Sequence, residues 1–440
     1  MTEAHNLALE TACDILVVGG GPAGSTAAAL LAKRGYSVQL VEKDKHPRFH
    51  IGESLLPMNL PLLEKLGVRE DVERIGVFKP GAQFVSSKDG RSTFFQFSNA
   101  MDNVFGYAYQ VKRSEFDHIL WKTAIAAGAN VIEQCRVTEV DFPDSGGVVA
   151  RGQDSQRRNR IWRAKFLIDA SGRDTLLAKK FGIKRRNRDH NTAALYSHFK
   201  KAKRLDGENE GFITIFFFDH GWFWFIPLTG GTTSVGAVCH PSYMRTRKGD
   251  LAEFFKKTIA LSPQLSERLK DAEMTMAPIG TGNYVYRADR MGGDRYVMLG
   301  DAFAFIDPMF STGVYMAMSS AFMGADVVEM ALKDPQKAAR EMQKFEATMR
   351  RGVDTFCWFI YRITMPSLRS LFLGPKNYFR MEEALLALLA GDVFRPTKIG
   401  TPLFMFKMIY YTINLLTWKE SFAAWRMRKY AVQDPSSGTE

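Results

Sequence analysis

Residues 14–24 read DILVVGGGPAG, a short apolar run followed directly by glycines. The apolar run is typical of a strand that is buried on both faces of a parallel sheet. Gly19, Gly21 and Gly24 have the spacing GxGxxG. In that pattern the first glycine permits a tight turn, the second lets backbone approach a pyrophosphate, and the third lets helix and strand pack closely. The stretch therefore predicts the phosphate-binding turn of a dinucleotide fold.

The residues that follow complete a βαβ unit. Ser25 to Arg34 is rich in Ala and Leu and predicts a helix, which Gly35 ends. Tyr36 to Val41 predicts a second strand, and Glu42 stands at its end. An acidic side chain at this position accepts hydrogen bonds from a ribose diol and favours an unphosphorylated ribose. A glycine turn in this context predicts a bound dinucleotide.

Composition places the chain among globular proteins. Its 440 residues exceed what one ordinary core needs, and 46% hydrophobic and 24% charged residues are globular values. The polar ends, Met1 to Thr11 and Gln433 to Glu440, lack periodicity, and we expect them to be unstructured. The four cysteines are far apart and the start of the chain lacks the organisation of a signal peptide. We therefore expect no disulfide framework, no metal site and a cytoplasmic location.

The chain carries a formal net charge of +12, and much of the excess lies in Arg157 to Arg163, Lys179 to Arg188 and Lys200 to Arg204. These runs have two interpretations, a solvated surface or a docking surface for an acidic partner. No recognised nucleic-acid-binding motif accompanies them, so we expect no nucleic-acid partner. Two uncharged stretches, Gly221 to Cys239 and Pro308 to Ala325, are interrupted by Pro, Gly, Ser and Thr. Neither predicts a transmembrane segment.

The remaining pattern predicts a mixed α/β protein. Strands are expected over Asn130 to Phe142 and Trp162 to Asp169, with a polar hairpin between them, and a long buried helix is expected over Gly313 to Leu332. From about Glu341 onward the chain is helical and rich in aromatic residues that need cover.

These elements predict two parts. We expect a core at residues 12–345, with β-rich substrate portions at about 80–110 and 190–285, and a helical C-terminal region at residues 346–440.

Three later motifs indicate that the dinucleotide is FAD. Asp169-Ala-Ser-Gly-Arg173 and Leu299-Gly-Asp-Ala302 each follow a predicted strand, and in this order they resemble the flavoprotein monooxygenase superfamily. There, the aspartate that matches Asp301 contacts the ribityl and ribose region of the flavin. The stretch from Gln110 to Asp117 resembles the early helix of the superfamily, where the arginine that matches Arg113 reaches the cofactor.

The resemblance therefore implies a Rossmann-like FAD-binding domain with a β-rich substrate domain and a helical C-terminal extension. It also implies a set of cofactor-binding residues drawn from the dinucleotide unit and the later motifs. These are Gly19, Gly21, Ala23, Gly24, Glu42, Lys43, Arg48, Gly52, Glu53, Ser54, Arg113, Val137, Asp301 and Gly313.

A narrower resemblance rests on residues 221–227, GWFWFIP, which match WxWxIP, the signature of flavin-dependent halogenases. In that family the segment keeps substrate away from the flavin. The motif residues here are Trp222, Trp224, Ile226 and Pro227. The Gly-Glu-Ser sequence within Phe49 to Pro57 resembles the part that halogenases place against the isoalloxazine ring. Geranylgeranyl-reductase-like flavoproteins share a similar sequence, so this motif alone leaves both families open.

Two further positions match the same family. Lys79 falls where these halogenases carry their active lysine. Residues 307–313 resemble the loop beside the flavin, where the backbone N–H groups of a Thr-Gly pair hold the halide, and this assigns Ser311, Thr312 and Gly313 to the halide. Phe310 stands where tryptophan-specific members have a glutamate. The resemblance thus implies the branch that acts on phenols and pyrroles, often while these are tethered to a carrier protein.

The resemblance as a whole implies an enzyme that uses FADH2, O2 and chloride or bromide to halogenate an electron-rich aromatic ring. Hypohalous acid would form at the flavin and be held at Lys79. A partner flavin reductase would supply FADH2, and the substrate would be free or bound to an acyl or peptidyl carrier protein. Two alternatives stay open from the residues alone: an aromatic hydroxylase on the same fold and a lipid reductase of the geranylgeranyl type.

Overall fold

The computed structural model describes residues 9–102, 105–187, 190–282 and 284–432. Of the ends predicted to be unstructured, residues 1–8 and 433–440 lie outside these ranges. The prediction was wrong for Leu9 to Thr11, which belong to the first strand because they pair in parallel with Arg160 to Trp162.

The strands in the described residues are, in chain order, β1 (Leu9–Val18), β2 (Val38–Val41), β3 (Val77–Lys79), β4 (Gly81–Ser86), β5 (Ser92–Gln96), β6 (Ala108–Gln110), β7 (Asn130–Ile132), β8 (Cys135–Asp141), β9 (Val148–Asp154), β10 (Asn159–Asp169), β11 (Lys184–Arg186), β12 (Ala193–Lys200), β13 (Ile213–Phe218), β14 (Gly221–Leu228), β15 (Thr232–Cys239), β16 (Glu273–Met274), β17 (Ile279–Gly282), β18 (Tyr286–Ala288), β19 (Gly292–Gly293), β20 (Tyr296–Met298) and β21 (Ala304–Phe305).

The α-helices in the same residues are α1 (Pro22–Lys33), α2 (Leu60–Leu66), α3 (Arg69–Ile75), α4 (Arg113–Ala126), α5 (Leu176–Lys180), α6 (Pro241–Met244), α7 (Leu251–Ile259), α8 (Pro263–Arg268), α9 (Gly313–Lys333), α10 (Pro335–Ile360), α11 (Pro366–Leu373), α12 (Met381–Leu389), α13 (Gly400–Leu416) and α14 (Trp418–Val432).

The first sheet is mostly parallel and has the strand order β19-β20-β10-β1-β2-β7. Its central strand β1 is apolar because both faces are covered, and Ile15 to Val18 are buried. The carboxyl ends of β1, β2, β10 and β20 meet at one edge, where ligands bind in open α/β sheets. The chain leaves this edge at Gly19, Glu42 and Asp169, and Asp301 follows β20 after two residues.

The stretch between the predicted strands Asn130 to Phe142 and Trp162 to Asp169 contains more than a polar hairpin. It includes β9, which pairs antiparallel with both β8 and β10. Along β9 and β10 the residues Val148, Ala150 and Trp162 are buried, and this packing outweighs the polar composition of the segment. The three strands form an antiparallel extension of the first sheet.

The second sheet has the order β16-β12-β15-β14-β13-β4-β5, and β17 also pairs with β12. Side chains along β14 alternate between two cores. Trp222, Trp224 and Ile226 belong to the core shared with the first sheet. Phe223 and Phe225 belong to a second core, with residues of α7. The period-two pattern of a strand therefore turns both tryptophans toward the nucleotide-binding part of the protein.

The C-terminal helices cover the core. Phe372 of α11 lies 5.5 Å from Phe84 and 5.8 Å from Phe95, measured between ring centroids, and it stacks on Phe310 at 6.1 Å. The predicted boundary between residues 345 and 346 falls inside α10, which is one continuous helix. The two-part division stays a prediction.

Helix α14 presents large apolar side chains to solvent. Trp418, Phe422 and Trp425 recur at helical spacing and are 61%, 56% and 49% exposed. Among the described helices, none is both long and apolar enough to cross a membrane.

Together, the two sheets and the C-terminal helices form the predicted arrangement of a Rossmann-like domain, a β-rich part and a helical extension.

Candidate functional site

The turn after β1 has no room for side chains. A Cβ atom on Gly24 would lie 1.8 Å from the carbonyl oxygen of Gly19, and one on Gly19 would lie 2.2 Å from the carbonyl oxygen of Ala170. Gly19 also has a φ of 105°, which L-residues rarely adopt. Gly21 is the N-cap of α1 and no side chain caps this end. The first N–H groups of the helix therefore suit an anion such as pyrophosphate.

Glu42 lies beside this turn and is 4% exposed. One carboxylate oxygen accepts a 2.6 Å hydrogen bond from the N–H of Gly20, and the other accepts a 2.8 Å hydrogen bond from the N–H of Asp44. Both oxygens keep lone pairs, because a carboxylate offers about four acceptor positions. Glu42 can therefore hold the turn and receive ribose hydroxyls together.

A buried ion-pair network lies beside Glu42, because Nε of Arg48 is 3.9 Å from a carboxylate oxygen of Glu42. Arg113 donates to both carboxylate oxygens of Asp117, at 2.7 and 3.0 Å, and to the carbonyl oxygen of Ile51 at 2.9 Å. Arg48 donates to Asp117 at 3.2 Å. Burial is the largest influence on Asp117 and raises its pKa, but the charge and hydrogen bonds of Arg113 together with the charge of Arg48 hold the pKa of that carboxyl below its usual value. Arg113 was predicted from the sequence, whereas Asp117 was not. Their (i, i+4) spacing on a helix is nevertheless typical of an ion pair.

Asp301 enters the same space from the end of β20. Burial raises its pKa to about 6, and the positive charges of Arg113 and Arg173 oppose this shift. Val137 of β8 and Lys43 approach from the side of Glu42, and Lys43 makes a 2.6 Å ion pair with Asp174.

These groups line one cavity of about 1020 Å³. It collects most of the residues proposed from the sequence. Those that line it are Gly19, Gly21, Ala23, Glu42, Lys43, Arg48, Gly52, Glu53, Ser54, Arg113, Val137, Trp222, Trp224, Ile226, Asp301, Ser311, Thr312 and Gly313. Gly24, Lys79 and Pro227 are outside the lining. Gly24 packs against Gly19, and Pro227 belongs to the opposite face of β14.

The two tryptophans of β14 form an aromatic wall of the cavity. Their ring centroids are 6.0 Å apart, and the Nε1–H of Trp224 donates a 3.1 Å hydrogen bond to the hydroxyl of Ser234. Gly236 lies under the ring of Trp224, where a Cβ atom would come within 2.2 Å of it. The wall is therefore held rigidly on the sheet.

Residues 307–313 form the loop at the other end of the cavity, and α9 begins at its last residue. Ser311 has a φ of 58°, and Thr312 is 1% exposed. The carboxylate of Asp307 accepts a 3.2 Å hydrogen bond from the N–H of Met309 inside the loop. No side chain caps the start of α9, so its first N–H groups suit an anion.

Asp307 is itself held from outside the loop. Its Oδ2 atom is 3.1 Å from Nε2 of His190 and accepts a 3.0 Å hydrogen bond from Thr192. Arg428 of α14 lies 2.8 Å from Nδ1 of His190. Because a guanidinium only donates, Nδ1 accepts and the proton is on Nε2, facing Asp307. Burial lowers the pKa of His190, consistent with this neutral form. No motif in the sequence indicated His190 or Thr192.

Lys79 lies on β3 and is 1% exposed. Its ammonium nitrogen donates to the hydroxyl of Ser54 at 2.9 Å and to the carbonyl oxygen of Leu55 at 2.8 Å, and it lies 5.2 Å from the ring centroid of Phe97. Within the described part of the chain it makes no ion pair. Burial therefore lowers its pKa to about 7. Ser54 lines the cavity, so this one side chain stands between the cavity and the lysine.

Glu53 has a different partner, although it precedes Ser54. It is 1% exposed and lies 3.0 Å from Nε2 of His198 on β12. The Gly-Glu-Ser segment is thus anchored to the second sheet by Glu53 and to the lysine by Ser54.

Comparisons with known proteins agree with this geometry. The profile of the tryptophan halogenase family matches residues 14–106 and 98–365. The 1H-pyrrole-2-carbonyl-[peptidyl-carrier protein] chlorinase of Pseudomonas fluorescens is 31% identical over 408 residues, which cover 87% of this chain and 89% of that one.

Two solved structures are also similar. The flavoprotein/dehydrogenase from Cytophaga hutchinsonii is 33% identical with a TM-score of 0.81, and the match covers 88% of this chain and 94% of that one. The myxobacterial chondrochloren halogenase, an FAD-dependent enzyme, is 28% identical with a TM-score of 0.76, covering 88% and 99%.

Proposed function

The chain belongs to the tryptophan halogenase family of flavin-dependent enzymes, and we propose that it uses FADH2, O2 and chloride or bromide to halogenate a phenolic or pyrrolic ring. The predicted identification as a flavin-dependent halogenase is thereby confirmed. The substrate class and the role of each residue are the proposal. The observation that carries it is the position of Lys79, which is buried behind Ser54 and outside the cofactor cavity.

The cavity fits FAD. The uncapped N-terminus of α1 would receive the pyrophosphate, with the guanidinium of Arg48 beside it. Glu42 would accept hydrogen bonds from the adenosine ribose. Asp301 and Arg113 would contact the ribityl and flavin portion, and Gly52, Glu53 and Ser54 would lie against the ring system. When bound, the reduced flavin supplies the electrons with which O2 is activated to oxidise the halide.

Different residues of the chain then have different roles. The N–H groups of Thr312 and Gly313 hold the halide, while Ser311 turns the loop so that they face the cavity. Trp222 and Trp224 keep the aromatic substrate from the flavin, which disfavours direct hydroxylation. Hypohalous acid must therefore travel past Ser54 to be used.

Lys79 receives the oxidant beyond Ser54. Its amine either holds hypohalous acid by a hydrogen bond or takes the halogen, with release of water, as a haloamine. In both cases the ring gains the halogen and loses a proton, so that hypohalous acid and the arene give the haloarene and water. Lys79 is 1% exposed, and this shielding from bulk solvent protects the oxidant from side reactions.

A direct test supplies the protein with FAD, a flavin reductase, NADH, O2 and a mixture of chloride and bromide. Mass spectrometry of a pool of free and carrier-bound aryl acids then reads out halogenated products. Halogenated phenols or pyrroles support the proposal. Hydroxylated products that need no halide would instead identify an aromatic hydroxylase.

We further propose that the substrate is tethered to an acyl or peptidyl carrier protein. Phe310 supports this, because it packs on Phe372 and leaves no carboxylate where tryptophan-specific members have one. The pyrrolyl-carrier-protein chlorinase among the relatives supports it as well. A flavin reductase is the second proposed partner, since no other reductant site is suggested by the chain.

The basic runs were open to two interpretations, a solvated surface or a docking surface for an acidic partner, and their ion pairs weaken the second. Arg158 and Arg160 make ion pairs with Asp154, and Lys201 pairs with Glu273. Helix α14 is the better docking surface, because its exposed Trp418, Phe422 and Trp425 are accompanied by basic residues. Those residues are Lys419, Arg426 and Lys429.

The tethering test offers one aryl group as free acid and as carrier thioester, at low and high salt. Exposed charges are screened beyond about 8–10 Å at physiological ionic strength. We expect turnover of the thioester alone to fall with salt. Equal turnover of both forms, with the same salt response, would contradict tethering and leave the halogenase assignment intact.

A further inference from the structure

Ser54 and Gln110 are far apart in the sequence but lie directly opposite each other in the structure. They make an isolated antiparallel bridge, flanked by a 2.8 Å hydrogen bond from the N–H of Val111 to the oxygen of Glu53 and a 3.0 Å one from the N–H of Leu55 to the oxygen of Tyr109. This pattern is the close, non-hydrogen-bonded type of pair, in which both side chains project to one face. Gln110 therefore lies beside the hydroxyl that receives Lys79.

The pairing of β3 with β6 places Lys79 on that same face. Val77 is opposite Gln110, and Lys79 is opposite Ala108. Because side chains alternate along a strand, Val77 and Lys79 share a face, and Gln110 shares it with them. Two independent pairings thus bring Gln110 to the lysine, while neither side chain lines the cofactor cavity.

The amide of Gln110 has one satisfied end and one unsatisfied end. Its Nε2 donates a 3.3 Å hydrogen bond to the carbonyl oxygen of Gly211, and because a carbonyl only accepts, this fixes which end is the oxygen. The side chain is 0% exposed, and Oε1 has no hydrogen-bond partner among the residues that the structure describes. Buried acceptors are normally paired, and this oxygen lacks a partner within the described residues.

We propose that Oε1 of Gln110 accepts the ring N–H or phenolic O–H of the aromatic substrate. This deepens the proposed function and rests on it, because it assumes that the ring is halogenated at Lys79. The contact orients the ring against the amine and leaves electron density on the donor, which activates the ring carbons toward an electrophile. It also makes the site selective for aromatic rings that carry a donor.

The test compares donor-bearing and methylated probes. Pyrrole-2-carboxylate is set against N-methylpyrrole-2-carboxylate, and 4-hydroxybenzoate against 4-methoxybenzoate, each as free acid and as carrier thioester. We expect wild-type kcat/KM to favour the N–H or O–H member of a pair by about tenfold or more, because methylation leaves the buried oxygen unpaired. The pair that shows the preference distinguishes a pyrrolic from a phenolic substrate.

Gln110→Met removes the acceptor and keeps the side-chain volume. We expect the preference for the donor-bearing probe to fall to about threefold or less, while flavin reoxidation stays at the wild-type rate. Gln39→Met is the matched control, since Gln39 is also buried and its amide also donates to a backbone carbonyl, that of Asn130. This control should keep the wild-type preference.

Calorimetric titration of the same probes into the FAD-loaded protein gives a readout that does not require turnover. A loss of the Kd ratio between paired probes in Gln110→Met supports the proposal. A wild-type protein that binds both members equally, or a variant that keeps the wild-type ratio, overturns it. If wild type halogenates neither pair, the proposed function fails, whereas the binding ratio still decides the role of Gln110. If Gln110→Met folds poorly, Gln110→Leu replaces it. Its Kd ratio between paired probes is then compared with the wild-type ratio.

Discussion

The ammonium of Lys79 donates a 2.9 Å hydrogen bond to the hydroxyl of Ser54, and Ser54 lines the cofactor cavity while Lys79 does not. Ser54 thus links the cofactor cavity to the buried lysine. An oxidant made at the flavin and used at the lysine would have to pass this contact. The two steps can therefore be separated by substitution.

Lys79→Ala should abolish halogenation and leave FAD binding and flavin reoxidation near wild type. Lys79→Arg should also fail, because a guanidinium is planar and does not lose its proton easily. Product is measured by mass spectrometry and reoxidation by flavin absorbance. Lys112→Ala is the control, since Lys112 is a half-buried lysine just outside β6. Comparable product from Lys79→Ala would show that the assigned role is wrong.

Halogenation and flavin reoxidation should also differ in their pH dependence. Burial lowers the pKa of Lys79 to about 7, so the neutral amine is the major form above that pH. If the amine takes up the halogen, halogenation of a pyrrole should rise through about pH 7 and then level off. The rate of flavin reoxidation, measured in parallel, should not show this rise with pH. A halogenation rate that falls through the same range would instead indicate an ammonium that acts by hydrogen bonding.

Lys79→Met should stabilise the fold. The folded pKa of Lys79 lies below its unfolded value of 10.5, so the unfolded state binds the proton more tightly between about pH 7 and 10.5. Wild-type stability is therefore reduced most below pH 7 and recovers as pH rises toward 10.5. The gain in melting temperature for Lys79→Met should be larger at pH 6 than at pH 10. An equal gain at both values would show that the lysine is not a buried charge.

Glu42→Ala should weaken FAD binding by about 1.5–3 kcal/mol, roughly 10- to 150-fold, because a carboxylate makes charge-assisted hydrogen bonds to ribose. The loss includes the support that Glu42 gives to the N–H groups of Gly20 and Asp44. Fluorescence titration of FAD measures it. Glu70→Ala, which removes an exposed acid on α3 outside the cavity lining, should leave the Kd unchanged. Unaltered affinity in Glu42→Ala would exclude Glu42 as the ribose acid.

His190→Ala should raise the KM for bromide by about fivefold, because one supporting hydrogen bond contributes about 1 kcal/mol to the position of Asp307. His190→Gln should restore part of the loss, since an amide can donate to Asp307 and accept from Arg428. FAD affinity should not change in either variant. His118→Gln, on α4 and away from the loop, is the control. An unchanged KM for bromide in His190→Ala would show that the 307–313 loop does not bind the halide.

Local chemistry explains which parts could be predicted from the sequence. The turn at Gly19 and the acid at Glu42 are specified within one βαβ unit, and the alternation of Trp222 with Phe223 is specified within one strand. Lys79 and the 307–313 loop were predicted from family resemblance.

The missed features depend on pairings across long stretches of chain. His190 and Asp307 are 117 residues apart, and no local pattern links them. Gln110 acquires its role only because Ser54 is opposite it, in a bridge outside any named strand. β9 was missed because its polar residues hide three alternating buried positions, Val148, Ala150 and Gly152.

The stacking of Phe372 on Phe310 has a consequence for how this protein can be divided. The segment that matches the family profile ends at residue 365, yet Phe372 lies beyond it and packs against Phe84 and Phe95 as well. A chain cut at residue 365 would expose all three rings to water. The unit that folds is thus longer than the segment that the family profile matches, and exchanging that segment with a relative would require the following helices to travel with it.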